Sequence, residues 1–107
     1  MKIPKNMNEQ EVLPRVPTTI GDGTKSVTTA GTAVQLSDTT VVCFYVLITA
    51  KPANTGNIYI GGENVASTRG IICFPGQTMR IDIDDLSKIY IDSAEDGEGV
   101  VYTYVAP

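Results

Sequence analysis

The densest set of side chains that could do chemistry is acidic and lies between residues 82 and 98. One base, Lys88, stands among seven carboxylates: Asp82, Asp84, Asp85, Asp92, Glu95, Asp96 and Glu98. Calcium prefers several oxygen ligands from one loop, and residues 95–98 could supply some of them. Asp82 and Asp84, however, alternate along a predicted strand, and the spacing does not match an EF-hand loop. We interpret the cluster as a solvated strand face and turn, with a calcium site as the alternative.

Catalytic groups form no recognisable motif in this sequence. There is no histidine, so a serine or cysteine nucleophile would need a lysine or a terminal amine as its base. The lysines lie in predicted turns or on strand faces, without a motif around them. Paired carboxylates for glycoside hydrolysis would need a cleft, and the Gly61-Gly62 pair precedes no helix that could bind phosphate. We therefore expect a protein that is not an enzyme and uses no cofactor.

Tyrosine is the other residue type that could form a site. Tyrosines on a sheet often pack with the hydroxyl reaching solvent, but an exposed row can anchor a protein interface or stack on sugars. The sequence leaves these three roles open. The candidate interface residues are the four tyrosines at strand positions that can face outward: Tyr59, Tyr90, Tyr102 and Tyr104.

Charge and hydropathy exclude two classes of partner. The net charge is −4, whereas a nucleic-acid binder needs clustered Lys and Arg to neutralise phosphates. The longest apolar run, residues 41–48, is far shorter than the roughly 20 residues that span a bilayer. Cys43 and Cys73 lie inside apolar runs, and we expect them to be buried free thiols, although a disulfide is possible.

The body of the chain reads as one short strand after another. With 107 residues, the chain has the length of one domain with one modest core. Residues 41–50 are apolar at nearly every position, which predicts a central strand covered on both faces. The other predicted strands are residues 25–30, 32–36, 58–60, 71–74, 79–84, 88–92 and 100–105. Short strands separated by turns predict an all-β, single-domain protein, either a sandwich or a barrel.

Residues 1–22 are predicted to be an extended N-terminal arm, and residues 23–107 the body. Pro4, Pro14 and Pro17 prevent a long helix or an inner strand. The arm nevertheless carries more apolar residues than a solvated tail usually does. We predict that it lies on its own body or on a neighbour, with a disordered terminus as the alternative. Its candidate interface residues are Ile3, Met7, Val12, Leu13 and Val16.

Several segments have a distinctive order of turn and core residues. They are V-T-T-A-G-T-A-V-Q-L at residues 27–36, A-K-P-A-N-T-G-N-I-Y-I-G-G at 50–62, G-I at 70–71, F-P-G-Q at 74–77, I-D-D-L-S-K-I-Y-I-D at 83–92 and G-E-G-V at 97–100. Together with an aromatic final strand, they resemble small structural proteins of tailed bacteriophages found among head and tail genes. The resemblance covers roughly residues 27–104, and no family matches the arm.

The resemblance implies a non-enzymatic virion protein with an antiparallel β-sandwich, jelly-roll-like body. Its expected role is that of a capsid decoration or cement protein, made in the host cytoplasm and bound to the major capsid protein at the capsid surface. A closed homo-oligomer, in particular a trimer, would bury sheet edges and match a three-fold site on an icosahedral shell. The alternatives are a phage tail or connector component and a host-surface glycan-binding module.

Overall fold

The computed structural model describes residues 16–107. They form eight β-strands and one short 3-10 turn, Leu86–Lys88, with no α-helix among them. The strands are β1 (Thr19–Ser26), β2 (Val34–Gln35), β3 (Tyr45–Ala50), β4 (Ile58–Gly61), β5 (Ile71–Cys73), β6 (Thr78–Asp82), β7 (Tyr90–Ser93) and β8 (Gly99–Ala106). No helix in this part of the chain is long and apolar enough to cross a membrane. The all-β prediction is confirmed for the described residues.

The strands form two antiparallel sheets of four strands each. Sheet A has the order β1-β8-β3-β6, and sheet B has the order β2-β7-β4-β5. The chain changes sheet at every connection except the one from β4 to β5. Because nearly all strand pairs are therefore distant in sequence, no segment of the chain can form either sheet alone.

One apolar core lies between the two sheets. Sheet A contributes Val46 and Ile48 from β3, and sheet B contributes Ile58, Ile60 and Ile91 from β4 and β7. None of these five side chains has measurable solvent exposure. Full burial of such a side chain is worth about 1.5–3 kcal/mol. The core is therefore what holds the two sheets together.

The central strand of sheet A differs from its prediction. β3 begins at Tyr45 rather than at residue 41, and Val42 forms only an isolated bridge with Asp85. The inner face of β3 is buried at Val46 and Ile48, but Leu47 on the other face is 39% exposed. The predicted cover on both faces is wrong for the part of the chain that the structure describes, because no described element packs over the outer face.

The first strand also begins earlier than predicted. β1 starts at Thr19, and the backbone N–H of Thr18 donates to the carbonyl of Ala106 at 2.9 Å. Residues 19–22, which we assigned to the arm, therefore belong to sheet A as part of its edge strand. Residues 28–30, which we expected to be extended, form a turn instead. Residues 1–15 of the predicted arm lie outside the described residues.

The remaining predicted strands are confirmed to within a few residues. Clean alternation located β6 and β7, where Met79, Ile81 and Ile91 face the core. Alternation in β8 places Val100, Tyr102 and Tyr104 on one face and Val101, Thr103 and Val105 on the other, as expected.

Both cysteines are buried free thiols, as predicted. The Cys43 thiol donates a hydrogen bond to the Ile83 carbonyl, and the Cys73 thiol donates to the Gln77 carbonyl. Burial raises the pKa of both thiols, and the nearby Asp85 and Asp84 carboxylates raise the pKa of Cys43 further. Neither thiol is therefore a reactive nucleophile in the folded chain.

Candidate binding surfaces

The acidic cluster is spread over separate structural roles. Asp82 pairs with Arg80 and Asp84 pairs with Lys88, each at 2.9 Å and on the surface. Exposed pairs of this kind contribute little to stability. Among residues 16–107, no group of three or more His, Cys, Asp or Glu side chains is arranged to hold a metal ion.

Other members of the cluster accept hydrogen bonds from the backbone of turns. Asp85 caps the 3-10 turn by accepting from the Ser87 N–H at 2.9 Å, and it also accepts from the Val41 N–H. These bonds lower the pKa of Asp85, with the Ser87 N–H as the main cause. Asp96 accepts from the Ala30 N–H at 2.8 Å. These carboxylates therefore order loops.

Glu98 makes the most complete set of such contacts. One of its oxygens accepts from the Thr55 N–H and hydroxyl at 2.7 and 2.8 Å, and the other accepts from the Gly56 N–H at 2.9 Å. The Asn54 side chain donates to the Gly99 carbonyl beside it. The N-T-G residues of the 50–62 segment thus bind the G-E-G residues of the 97–100 segment. The distinctive residues of both segments have a structural role.

The tyrosines do not form one row. Tyr59 and Tyr90 lie on the outer face of sheet B, in β4 and β7, and Tyr59 is only 9% exposed. Tyr102 and Tyr104 face inward from β8 and pack against the core. Their outward placement is therefore wrong, although the packing role that we also considered fits them.

Two glycines explain why the last two tyrosines face inward. Tyr104 is opposite Gly21 and Tyr102 is opposite Gly23 in the β1–β8 register, and a side chain at either glycine would overlap the ring opposite. The two rings also stack on each other, with centroids 6.4 Å apart. The tyrosines thus cover a strand that lacks side chains of its own at these positions.

The outer face of sheet A is not covered by any element of the described chain. We call it face A, and its side chains form three rows of four across the sheet in the order β1, β8, β3, β6. The rows are Ile20-Val105-Tyr45-Asp82, Asp22-Thr103-Leu47-Arg80 and Thr24-Val101-Thr49-Thr78. A shallow groove of about 700 Å³ runs over its centre. No residue from 16 to 107 packs on this face.

Face A carries little net charge. Arg80 pairs with Asp82 and lies over the Tyr45 ring, with 3.9 Å between the guanidinium carbon and the ring centroid. Asp22 is the one remaining charge in the three rows. Ile20 is 74% exposed and Val101 is 42% exposed. Face A thus exposes threonines and aliphatic side chains with few free charges.

A second apolar surface lies on sheet B, at its edge strand β5. It consists of Ile71, Ile72 and Phe74 in and after the edge strand β5, which are 38%, 48% and 57% exposed, and we call it the β5 patch. It continues into a groove of about 590 Å³ between β5 and β6, whose lining includes Ile60, Ile81, Ile83 and Ile89. The apolar run at residues 71–74 predicted the strand, but its edge position could not be read from it.

The arm residues are only partly described. Val16 is 44% exposed, whereas Ile3, Met7, Val12 and Leu13 lie outside the described residues. Their proposed role in an interface stays a prediction.

Comparison of the chain with protein-family models, curated proteins and solved structures finds no match.

We predict that Glu98→Gln destabilises the fold in a pH-dependent way. The hydrogen bonds from Thr55 and Gly56 lower the pKa of Glu98 below its ordinary value of 4.5, so the ionised form stabilises the folded state. The destabilisation by Glu98→Gln should have its full size at pH values above the ordinary pKa of glutamate. It should disappear as the pH falls through the lowered pKa of Glu98 in the folded state. Thermal unfolding at a series of pH values measures it. Glu63→Gln, at an exposed glutamate without hydrogen bonds to the described residues, is the control. An equal loss at all pH values would contradict the assignment.

Proposed function

We propose that this chain is a non-enzymatic structural protein of a bacteriophage virion, and specifically a capsid decoration or cement protein that binds between capsomers and stabilises the head. Two observations support the proposal: the resemblance of residues 27–104 to small phage head and tail proteins, and the uncovered face A. We read the two sheets as an antiparallel β-sandwich of jelly-roll-like topology, because the chain changes sheet at all but one connection.

Face A is the single observation that carries a binding function. The apolar composition of residues 41–50 predicted cover on both faces of β3, and residues 16–107 provide it on one face only. Leaving aliphatic side chains such as Leu47 and Val101 in water forgoes about 25 cal/mol for each Å² of apolar surface. We infer that another protein surface covers face A in the assembled particle.

The size of face A limits what it can do alone. Four strands about 4.8 Å apart and three rows about 6.7 Å apart give an area of roughly 400 Å². A standard protein interface buries about 800 Å² per partner. Face A therefore supplies about half of a stable interface, and a second contact is needed to complete it.

The partner of face A is proposed to be the β5 patch of a neighbouring copy, with the remaining interface area supplied by contacts outside face A. A two-fold dimer uses one patch twice, whereas a ring joins two different patches of neighbouring copies. Face A belongs to sheet A and the β5 patch belongs to the edge of sheet B, so they are different surfaces. We propose that the β5 patch of one copy contacts face A of the next, which forms a closed homo-oligomer. A trimer matches the three-fold sites of an icosahedral shell.

The arm is proposed to bind the major capsid protein. Its residues Ile3, Met7, Val12, Leu13 and Val16 would lie on the shell while the body projects outward, at the capsid surface of the virion. The net charge of −4 fits a protein partner and does not favour nucleic acid.

We predict that Thr103→Lys disrupts the oligomer and leaves the fold intact. Thr103 lies at the centre of face A between Asp22 and Leu47. A lysine at this position would be buried in the interface and weaken association, whereas in the single folded chain it would stay in solvent and cost little. The free energy of unfolding, measured in urea, should change by only about 0.5 kcal/mol. Sedimentation equilibrium should show an oligomer for the unaltered chain and a monomer for the variant. Thr68→Lys makes the same substitution at an exposed loop position outside both surfaces. If Thr103→Lys assembles as well as Thr68→Lys, face A is not the interface.

We predict that deletion of residues 1–15 abolishes capsid binding while the body remains folded. The deletion stops before β1 because Thr18 and Thr19 are already hydrogen bonded or paired to β8. Cosedimentation with capsids that lack this protein measures binding, and far-ultraviolet circular dichroism measures the fold. Undiminished cosedimentation of the shortened chain would refute the docking role of the arm.

A further inference from the structure

A pocket on the outer face of sheet B shares no residue with face A, and its Tyr59 lies directly opposite Ile72 of the β5 patch. It has a volume of about 400 Å³ and is lined by Tyr59 and Asp92, which are directly opposite each other in β4 and β7. Two loops form its sides, one at Ala30 and Gly31 and the other at Ala66 and Ser67. These loops explain why two outward-facing side chains of a surface sheet are nearly inaccessible.

Asp92 is the one fully buried acidic side chain among residues 16–107, with 2% exposure. Its Oδ1 atom accepts hydrogen bonds from the N–H groups of Gly31 at 2.9 Å and Ser93 at 2.8 Å. Its Oδ2 atom accepts none from any described residue. Neither salt bridge of the described chain includes it, and no lysine or arginine lines the pocket.

A buried carboxylate with a free oxygen is costly unless it binds a cation or a hydrogen-bond donor. Among the other loop-ordering carboxylates, Glu98 uses both of its oxygens. Asp85 accepts on Oδ1 alone, as Asp92 does, but both Glu98 and Asp85 lie nearer to solvent than Asp92. The two backbone bonds on Oδ1 of Asp92 come from Gly31 in the turn and from the following residue, Ser93. They leave Oδ2 as an acceptor on the side of the sheet where the pocket lies.

We propose that this pocket binds a primary ammonium group, as carried by a lysine side chain or by a small free amine. A compact ammonium needs one strong acceptor, whereas a guanidinium is best recognised by two free carboxylate oxygens, and Asp92 has one. The Tyr59 ring can contact the alkyl chain or the cation, and the exposed Ser67 hydroxyl can accept a further hydrogen bond. A hard metal cation would need several oxygen ligands, and no such group occurs in the described chain. The inference is independent of the proposed virion function.

The test is a titration of the full-length, ¹⁵N-labelled protein followed by nuclear magnetic resonance. The probes are Nα-acetyl-lysine N-methylamide, the norleucine analogue that lacks the ammonium, the arginine analogue, and butane-1,4-diamine. The lysine probe should shift the amide signals of Gly31 and Ser93 saturably, because both amides bond to Asp92. The norleucine probe should not shift them, and the arginine probe should bind more weakly. Tighter binding of the lysine probe than of the diamine assigns the site to a protein side chain, and the reverse order assigns it to a free amine.

Two variants separate binding from folding. Asp92→Asn keeps an oxygen for the Gly31 and Ser93 amides but removes the charge, and it should weaken the lysine probe about tenfold or more. Ala66→Leu fills the pocket from its side without altering Asp92 and should also abolish the response, whereas Thr68→Leu in the same loop should not. This second pair of variants decides the matter if Asp92→Asn does not fold. No saturable shift at Gly31 and Ser93 in the unaltered protein, or equal shifts with the norleucine probe, would overturn the proposal.

Discussion

The structure depends above all on the register of β8. This strand pairs with β1 along eight residues on one side and with β3 along six residues on the other. Its alternation sends Val100, Tyr102 and Tyr104 into the core and Val101 and Thr103 onto face A. A slip of one residue would place the aliphatic and threonine side chains inside and both tyrosines outside, so the core and face A would be lost together. The clamp of Glu98 on Thr55 and Gly56 lies directly before β8 and holds its start in place.

Much of this fold could be predicted from the sequence because alternation with a period of two is a local signal. The strands at 79–84, 88–92 and 100–105 were predicted for that reason, and their inward residues are correct. β1 was predicted too late because residues 1–22 were assigned to a proline-containing arm, and Gly21 and Gly23 have no side chains that could show alternation. Only the tyrosines opposite, some 80 residues away, make them suitable for a strand. Partners so distant in sequence leave no trace in the local pattern.

The candidate surfaces also depend partly on local sequence patterns and partly on contacts between residues that are distant in sequence. The apolar run at residues 41–50 indicated two faces that need cover, but it could not show that residues 16–107 would cover only one of them. Alternation placed Asp92 on an outer face, which usually means exposure, and the loops at Gly31 and Ser67 bury it. Loop conformation is set by contacts such as those of Asp96 and Glu98 with backbone amides, and spacing alone does not reveal them. The acidic cluster, which we interpreted as a solvated strand face and turn, consists of surface ion pairs and separate contacts with the backbone of turns.

The central claim is that face A of one copy meets the β5 patch of the next, and disulfide trapping tests it most directly. Because Cys43 and Cys73 are buried with a raised pKa, new surface thiols can be oxidised selectively. Leu47→Cys lies on face A and Phe74→Cys lies in the β5 patch. When the two single variants are mixed and oxidised, disulfides between residues 47 and 74 should exceed those between identical positions, and the double variant should close into covalent trimers. Disulfides between two copies of Leu47→Cys alone, or no disulfides at all, would contradict the account.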